Sequence, residues 1–434
     1  MTAPLPRALQ AYRLALSAAA PLTALVLRQR LVRGKEIDER LCERRGESRR
    51  ARPEGPLVWL HGASVGELMS VLPLIERISG RGLNMLVTSG TVTSSEIAAQ
   101  RMPPGVIHQF LPLDVPRFVE RFLDRWRPQL ALFVESDLWP NLLIETARRE
   151  IPMVLLNARL SERSFRRWQY LPQFIGHLLQ GFDLCLARTR ADADRLTRLG
   201  GRKVVVSGNL KLDVPAPPAD AAALAALKDA IGTRPVTAAA STHPGEDELV
   251  IAAHRRLRAG TPGLLTLIAP RHPERGPQIA TLVRAAGLTA AMRSQNELPD
   301  ATTDIYVADT MGELGLIYRL APVVFIGGSL VPHGGQNPIE AAKLGAAIVH
   351  GPHVANFQEL YAELDAAHGA ELVADGDRLA AALGALLTQP ILRERVARSG
   401  RDLVDALGGA LERTMQALEP YLDPLQDRQD VHHA

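Results

Sequence analysis

Leu57-Val58-Trp59-Leu60-His61-Gly62-Ala63-Ser64-Val65-Gly66-Glu67 joins an apolar run to a turn of small residues and ends on a carboxylate. Pro56 opens the stretch, and Leu57 to Leu60 read as a short buried strand. Gly62, Ala63, Ser64 and Gly66 carry little or no side chain, so a backbone or a ligand can come close. From Leu68 onward, Met69, Leu72, Leu74, Ile75 and Ile78 are spaced as an amphipathic helix. Glu67 is thereby placed at or just inside a helix N-terminus, at the carboxyl end of a strand, the edge where open α/β sheets bind ligands. The same residue has a purely structural use, complementing the helix dipole by about 0.3–1 kcal/mol.

The pattern repeats in both directions. Strands are expected at Met85–Thr88, Val106–Leu113, Leu130–Val134, Met153–Leu156, Leu184–Ala187 and Lys203–Val206, separated by helical periodicity. Short β runs alternating with helices imply a parallel sheet with right-handed crossovers. Val214-Pro215-Ala216-Pro217-Pro218 cannot continue a helix and marks a linker. Beyond it a second series starts at Val236–Ala240, Leu264–Ala269, Ile305–Ala308 and Val323–Ile326, and Arg401–Leu422 reads as a closing helix. The fold class is therefore α/β, two Rossmann-like βαβ domains facing across a cleft. The expected division is residues 1–52, 53–213, a linker at 214–220, 221–400 and 401–434. Neither half carries a Gly-x-Gly-x-x-Gly dinucleotide fingerprint.

The 434 residues exceed one ordinary core, which supports two domains. Hydrophobic residues make up 46% and charged residues 22%, as in a folded globular chain. Cys42 and Cys185 offer neither a disulfide framework nor metal-ligand spacing and fit a reducing compartment. The net charge of +3 is mild, and no nucleic-acid partner is expected from it. The amino-terminal charge is not mild. Leu14–Leu27 is nearly uncharged but, at about 14 residues, short of the roughly 20 that span a bilayer. The next stretch, Arg28 to Arg52, holds ten basic residues (Arg28, Arg30, Arg33, Lys35, Arg40, Arg44, Arg45, Arg49, Arg50, Arg52) against five acidic ones. An apolar segment backed by a basic one reads as an anchor to an anionic membrane surface on the cytoplasmic side, or else as a solvated helix beside the domain.

Gly327 to Glu340, Gly-Gly-Ser-Leu-Val-Pro-His-Gly-Gly-Gln-Asn-Pro-Ile-Glu, is the most informative loop of the second half. Asn337 suits an N-cap, Pro338 the first helical position, and Glu340 the third, as in a capping box. Four glycines exceed what a simple turn needs. A glycine-rich loop offering bare amides before a helix is a phosphate site, and a glutamate one turn in can take both hydroxyls of a ribose.

In this order, His61–Glu67, Val134–Asn141, Asn157–Ser161, Gly208–Lys211, Ser241–His243, Ala269–Pro273, Asp309–Glu313 and Gly327–Glu340 resemble the 3-deoxy-D-manno-octulosonic acid (Kdo) transferases of lipopolysaccharide assembly. These are glycosyltransferases of the two-domain GT-B fold, family 30. Gly62 and Asp137 stand where that family more often has alanine or serine and glutamate. The resemblance implies CMP-Kdo as donor substrate, a lipid A precursor (lipid IVA) as acceptor, no further cofactor, and a place at the inner membrane. It implies Glu67 as catalytic base, with Glu135 and Lys211 supporting the transition state. Pro270, Arg271, Met311, Gly312, Glu313, Asn337, Pro338, Ile339 and Glu340 would hold CMP. A leaving phosphate is already a good leaving group and needs cations and amides around it, for which Arg271, Lys211, Ser241-Thr242 and Gly334-Gly335 are placed. No metal site is expected: His61, His243, His272 and His333 are scattered over different loops. The rival from the same fold is a nucleoside-diphosphate-sugar transferase or epimerase.

Overall fold

The computed structural model of the chain describes residues 4–433. It divides into two compact units, one running to Val214 and resuming at Gly408, the other covering Pro215–Leu407. The first is built on β1 (Leu57–His61), β2 (Asn84–Ser89), β3 (Ile107–Phe110), β4 (Leu130–Val134), β5 (Met153–Ala158), β6 (Leu184–Ala187) and β7 (Val204–Val206). They lie in the order β3-β2-β1-β4-β5-β6-β7, every pairing parallel. The second carries β8 (Val236–Thr242), β9 (Leu265–Pro270), β10 (Ala290–Met292), β11 (Ile305–Val307), β12 (Val323–Ile326), β13 (Ala347–His350) and β14 (Ala370–Leu372). Their order is β10-β11-β9-β8-β12-β13-β14, again all parallel. Both sheets are doubly wound, and their strands are apolar on both faces because helices cover both. Val58, Trp59 and Leu60 are all fully buried.

Three strands of the second sheet, β10, β13 and β14, go beyond the four expected; β10 and β14 are only three residues long. The expected Val106–Leu113 strand stops at Phe110. Leu113 then turns its amide to Arg44, a segment outside the sheet. The closing helix differs as well. Pro390–Ala406 and Ala410–His433 are separate helices, broken at Gly409 with φ +81°. Asp213 accepts from the Gly409 amide at 2.7 Å and also from that of Leu411, and Arg413 donates to Ser207 O at 2.8 Å. Ala410, Met415, Leu418 and Leu422 join the core of the first unit, so the chain finishes on the unit where it began.

The amino-terminal expectation needs correcting in two respects. Helices Arg7–Ala19 and Thr23–Val32, joined through a tight turn at Ala20–Leu22, make a helical run of 26 residues, long and apolar enough to cross a membrane. Helix formation does not stop where the apolar stretch does, since arginine is itself a good helix former. The run is nevertheless docked: Leu9 is fully buried, Tyr12 donates to Asp114 at 2.9 Å, and Arg13 reaches Glu145 at 2.6 Å. Leu14, Leu22, Leu25 and Val32 face outward. Nor is the arginine cluster a uniform surface. Arg44 is buried, donating to Glu36 (2.9 Å), Leu111 O (3.1 Å) and Gly90 O (2.7 Å). Arg30 also pairs with Glu36, Arg40 with Glu43, and Arg52 donates to Trp126 O. Arg28, Arg33, Lys35, Arg45, Arg49 and Arg50 remain exposed.

Candidate active site

At the carboxyl edge of the first sheet, β1 runs through Gly62-Ala63 into the helix Val65–Gly80. Ser64 caps that helix, its hydroxyl accepting from the Glu67 amide at 3.3 Å. Glu67 in turn accepts from the Ala63 amide (2.7 Å) and from the Ser64 hydroxyl (3.0 Å). The turn thus aims the carboxylate back across the strand end, and a carboxylate with about four lone-pair sites keeps acceptor capacity free. Burial pushes the Glu67 carboxyl up; the Ala63 amide opposes this, and the negative charges of Glu135 and Asp137 add to it. That raises its basicity toward the range a general base uses.

Glu135 follows β4 with φ +61°, and Asn157, the penultimate residue of β5, has φ +50°. Backbone in this region costs on the order of 1–3 kcal/mol for a side chain other than glycine and persists where the surroundings enforce it. Here they do: the Glu135 amide donates to Leu156 O at 2.8 Å, and Asn157 Oδ1 accepts from the Leu210 amide at 3.1 Å. The short turn Leu210–Leu212 is thereby pinned, and Lys211 Nζ meets Glu135 Oε1 at 2.7 Å. His61, the last residue of β1, is buried between Thr88 Oγ1 (3.0 Å) and Asp137 Oδ2 (2.8 Å). Burial pushes the Asp137 carboxyl up, but the contact with His61 and a hydrogen bond from Trp139 together outweigh it and hold Asp137 below its ordinary value. The three residues named from the sequence, Glu67, Glu135 and Lys211, therefore share one strand edge. His61 with Asp137, and Asn157 beneath Lys211, complete it.

The second unit gathers its named residues at the equivalent edge. Pro270 ends β9, Met311, Gly312 and Glu313 follow β11, and Asn337, Pro338, Ile339 and Glu340 follow β12. Arg271 is exposed, with its amide donated to Thr242 O at 3.0 Å. Burial raises the Glu340 carboxyl and the positive charge of Arg271 opposes this. Glu313 is held by Arg293 at 2.8 Å and by Thr310, while Met311 stands 70% exposed. His243 stacks on His333 with ring centroids 3.8 Å apart and meets His272 edge-on at 6.1 Å. Burial first, and then the neighbouring His333, His272, Arg271 and Arg275, together lower the His243 pKa to about 4. Arg271 supplies the positive charge at this edge, beside imidazoles that can hydrogen-bond an anion. Among the described residues no group of His, Cys, Asp and Glu is arranged to hold a metal ion.

The glycine-rich loop departs from expectation. The helix is Ile339–Lys343, with Pro338 at the cap and Asn337 Oδ1 accepting from the Ile339 amide at 3.1 Å, so Glu340 is its second residue and no capping box forms. Proline's fixed φ fits the cap position as well as the first turn. Gly335, whose amide was expected to face a phosphate, donates instead to Gly328 O at 2.7 Å, and Gln336 donates to Gly327 O at 3.2 Å. The amides of Gly328 (2.7 Å), Ser329 (3.0 Å) and Leu330 (3.0 Å) converge on Glu246, which also takes the His243 amide (2.9 Å). Glu246 was not singled out from the sequence. The available signal was a carboxylate opening a helix after β8, just as Glu67 sits in the helix after β1.

The family model described as 3-Deoxy-D-manno-octulosonic-acid transferase (kdotransferase) matches residues 35–214. The 3-deoxy-D-manno-octulosonic acid transferase of Bordetella pertussis is 38% identical over 424 residues, 95% of this chain and 99% of that protein. The Haemophilus influenzae protein of the same name is 36% identical over 405 residues, 90% of this chain and 93% of that protein. Among solved structures, a glycosyltransferase from Rickettsia africae superposes with a TM-score of 0.57 at 11% identity, over 85% of this chain and 99% of that one, a likeness of fold. With such identity along nearly its whole length, the chain belongs to the 3-deoxy-D-manno-octulosonic acid (Kdo) transferases and is a glycosyltransferase.

Proposed function

We propose that the chain is an inverting, metal-independent transferase that moves Kdo from CMP-Kdo to a lipid A precursor in lipopolysaccharide core assembly. The observation that carries this reading is the state of Glu67: oriented by two hydrogen bonds, partly buried, and raised in pKa by burial and by neighbouring carboxylates. Glu67 takes the proton of an acceptor hydroxyl as its oxygen attacks the anomeric carbon of Kdo. The bond from that carbon to the CMP phosphate breaks on the opposite face, and its electron pair leaves with CMP. One displacement at one carbon inverts its configuration. Lys211, fixed by Glu135 at 2.7 Å, supplies positive charge in the first unit, and Arg271 in the second is offered to the donor's phosphate, the task a metal performs elsewhere. Pro270, Met311–Glu313 and Asn337–Glu340 hold the nucleotide, with Glu340 toward the ribose.

The acceptor's acyl chains stay in the bilayer, so the enzyme works at an anionic membrane surface, on its cytoplasmic face. Support comes from the outward apolar residues Leu14, Leu22, Leu25 and Val32 beside exposed Arg28, Arg33 and Lys35. The docking of Leu9, Tyr12 and Arg13 onto the first unit favours a helix lying on the membrane over one leaving the domain to cross it. Incubation of purified protein with lipid IVA and either CMP-Kdo or UDP-sugars, following nucleotide release and lipid mass, tests the reading. CMP release coupled to a Kdo increment is expected; release of UDP alone would assign the chain to the rival class.

A further inference from the structure

We propose that Glu246 is a positioning residue that locks the glycine-rich loop of the donor unit before any donor arrives. It is fully buried at the start of the helix Glu246–Leu257, after a left-handed Gly245. Its two carboxylate oxygens accept four amides: His243 at 2.9 Å and Gly328 at 2.7 Å on one oxygen, Ser329 and Leu330 at 3.0 Å each on the other. Three successive amides turned toward one point form an anion nest, the arrangement that elsewhere cradles a phosphate. Here the chain supplies the anion. A carboxylate has about four lone-pair sites and all four are used, so no external phosphate can bind at these amides without displacing Glu246.

Two consequences follow. The loop after β12 is tied to the loop after β8, which fixes His243 against His333 and Gln336, the latter contacting His243 Nε2 at 3.0 Å. The donor's negative groups must then be met by groups other than the amides of Gly328 to Leu330, the exposed Arg271 among them. The inference rests on the CMP-Kdo reading for its ligand, but the lock itself does not.

Hydrogen exchange on the full chain, followed over peptides spanning residues 327–331 with and without CMP, separates the possibilities. In the free wild-type chain these amides should already exchange slowly, and CMP should slow them less than twofold. Amides that exchange freely until CMP binds would overturn the proposal. Glu246→Gln offers a nitrogen where two amides donate, so exchange over 327–331 should quicken at least tenfold while peptides from β9 stay unchanged. The CMP Kd and donor KM should rise about tenfold, with kcat at saturating donor within about threefold. CMP affinity within twofold of wild type would remove the positioning role. If Glu246→Gln does not fold, the wild-type arm still decides. A wild-type chain that binds no CMP would sink the donor reading, and the role of Glu246 toward that donor with it, whereas the exchange pattern alone sinks the lock.

Discussion

Glu67 and Glu246 occupy the same place in two sheets. Each lies just past a strand at which the order reverses, β1 between β2 and β4, β8 between β9 and β12, and each is in the first turn of the helix that follows. The number of donors aimed at them separates their chemistry. Glu246 accepts four amides and is fully buried, so its acceptor capacity is exhausted and its charge belongs to the fold. Glu67 accepts one amide and one hydroxyl and keeps lone pairs for a proton. In the proposed function, the glutamate at this edge serves as a base in the first unit and as a brace in the second, in step with how many amides converge on it.

The largest effect expected from this contrast is on turnover. Glu67→Gln is nearly isosteric and keeps an acceptor for the Ala63 amide, yet it cannot take a proton, so kcat should fall by about 10² to 10⁴. Turnover within threefold of wild type would refute the assignment. Lys211→Ala removes the cation that faces Glu135, with an expected loss of about 10² in kcat, the scale of one charge-stabilising donor. A change confined to thermal stability would make the pair a brace as well. Arg271→Lys keeps the charge but loses the planar fork, and donor KM should rise roughly tenfold. Unchanged steady-state kinetics would move Arg271 out of the site. The smallest effect is expected from EDTA, which should alter the rate less than twofold; loss of activity restored by Mg²⁺ would overturn metal independence.

Much of the first unit was legible because its information is local. Leu57–Glu67 announces strand, turn and helix within eleven residues and sets a carboxylate at or just inside the helix N-terminus. Glu246 was illegible because three of its four donors lie 82 to 84 residues away, on a loop whose glycines read equally well as a phosphate cradle. Arg44 shows the same limit: within a charge run it reads as surface, yet its carbonyl partners are Gly90 and Leu111, brought to it by the fold. The strands β10 (Ala-Ala-Met) and β14 (Ala-Glu-Leu) escaped because they lack the β-branched residues that marked the equally short β7 (Val-Val-Val) and β11 (Ile-Tyr-Val).

The central claim, that Glu67 titrates as the base, is tested most directly by the pH dependence of kcat/KM for the wild type and for Asp137→Asn. Activity needs the unprotonated carboxylate, and burial with two negative neighbours raises its pKa. The acid limb should therefore lie above the ordinary glutamate value of about 4.3, with rate lost as pH falls through it. Replacing Asp137 removes one of those charges, lowers the Glu67 pKa, and should carry the limb to lower pH. A limb at the ordinary value, or one that does not move in Asp137→Asn, would contradict the account.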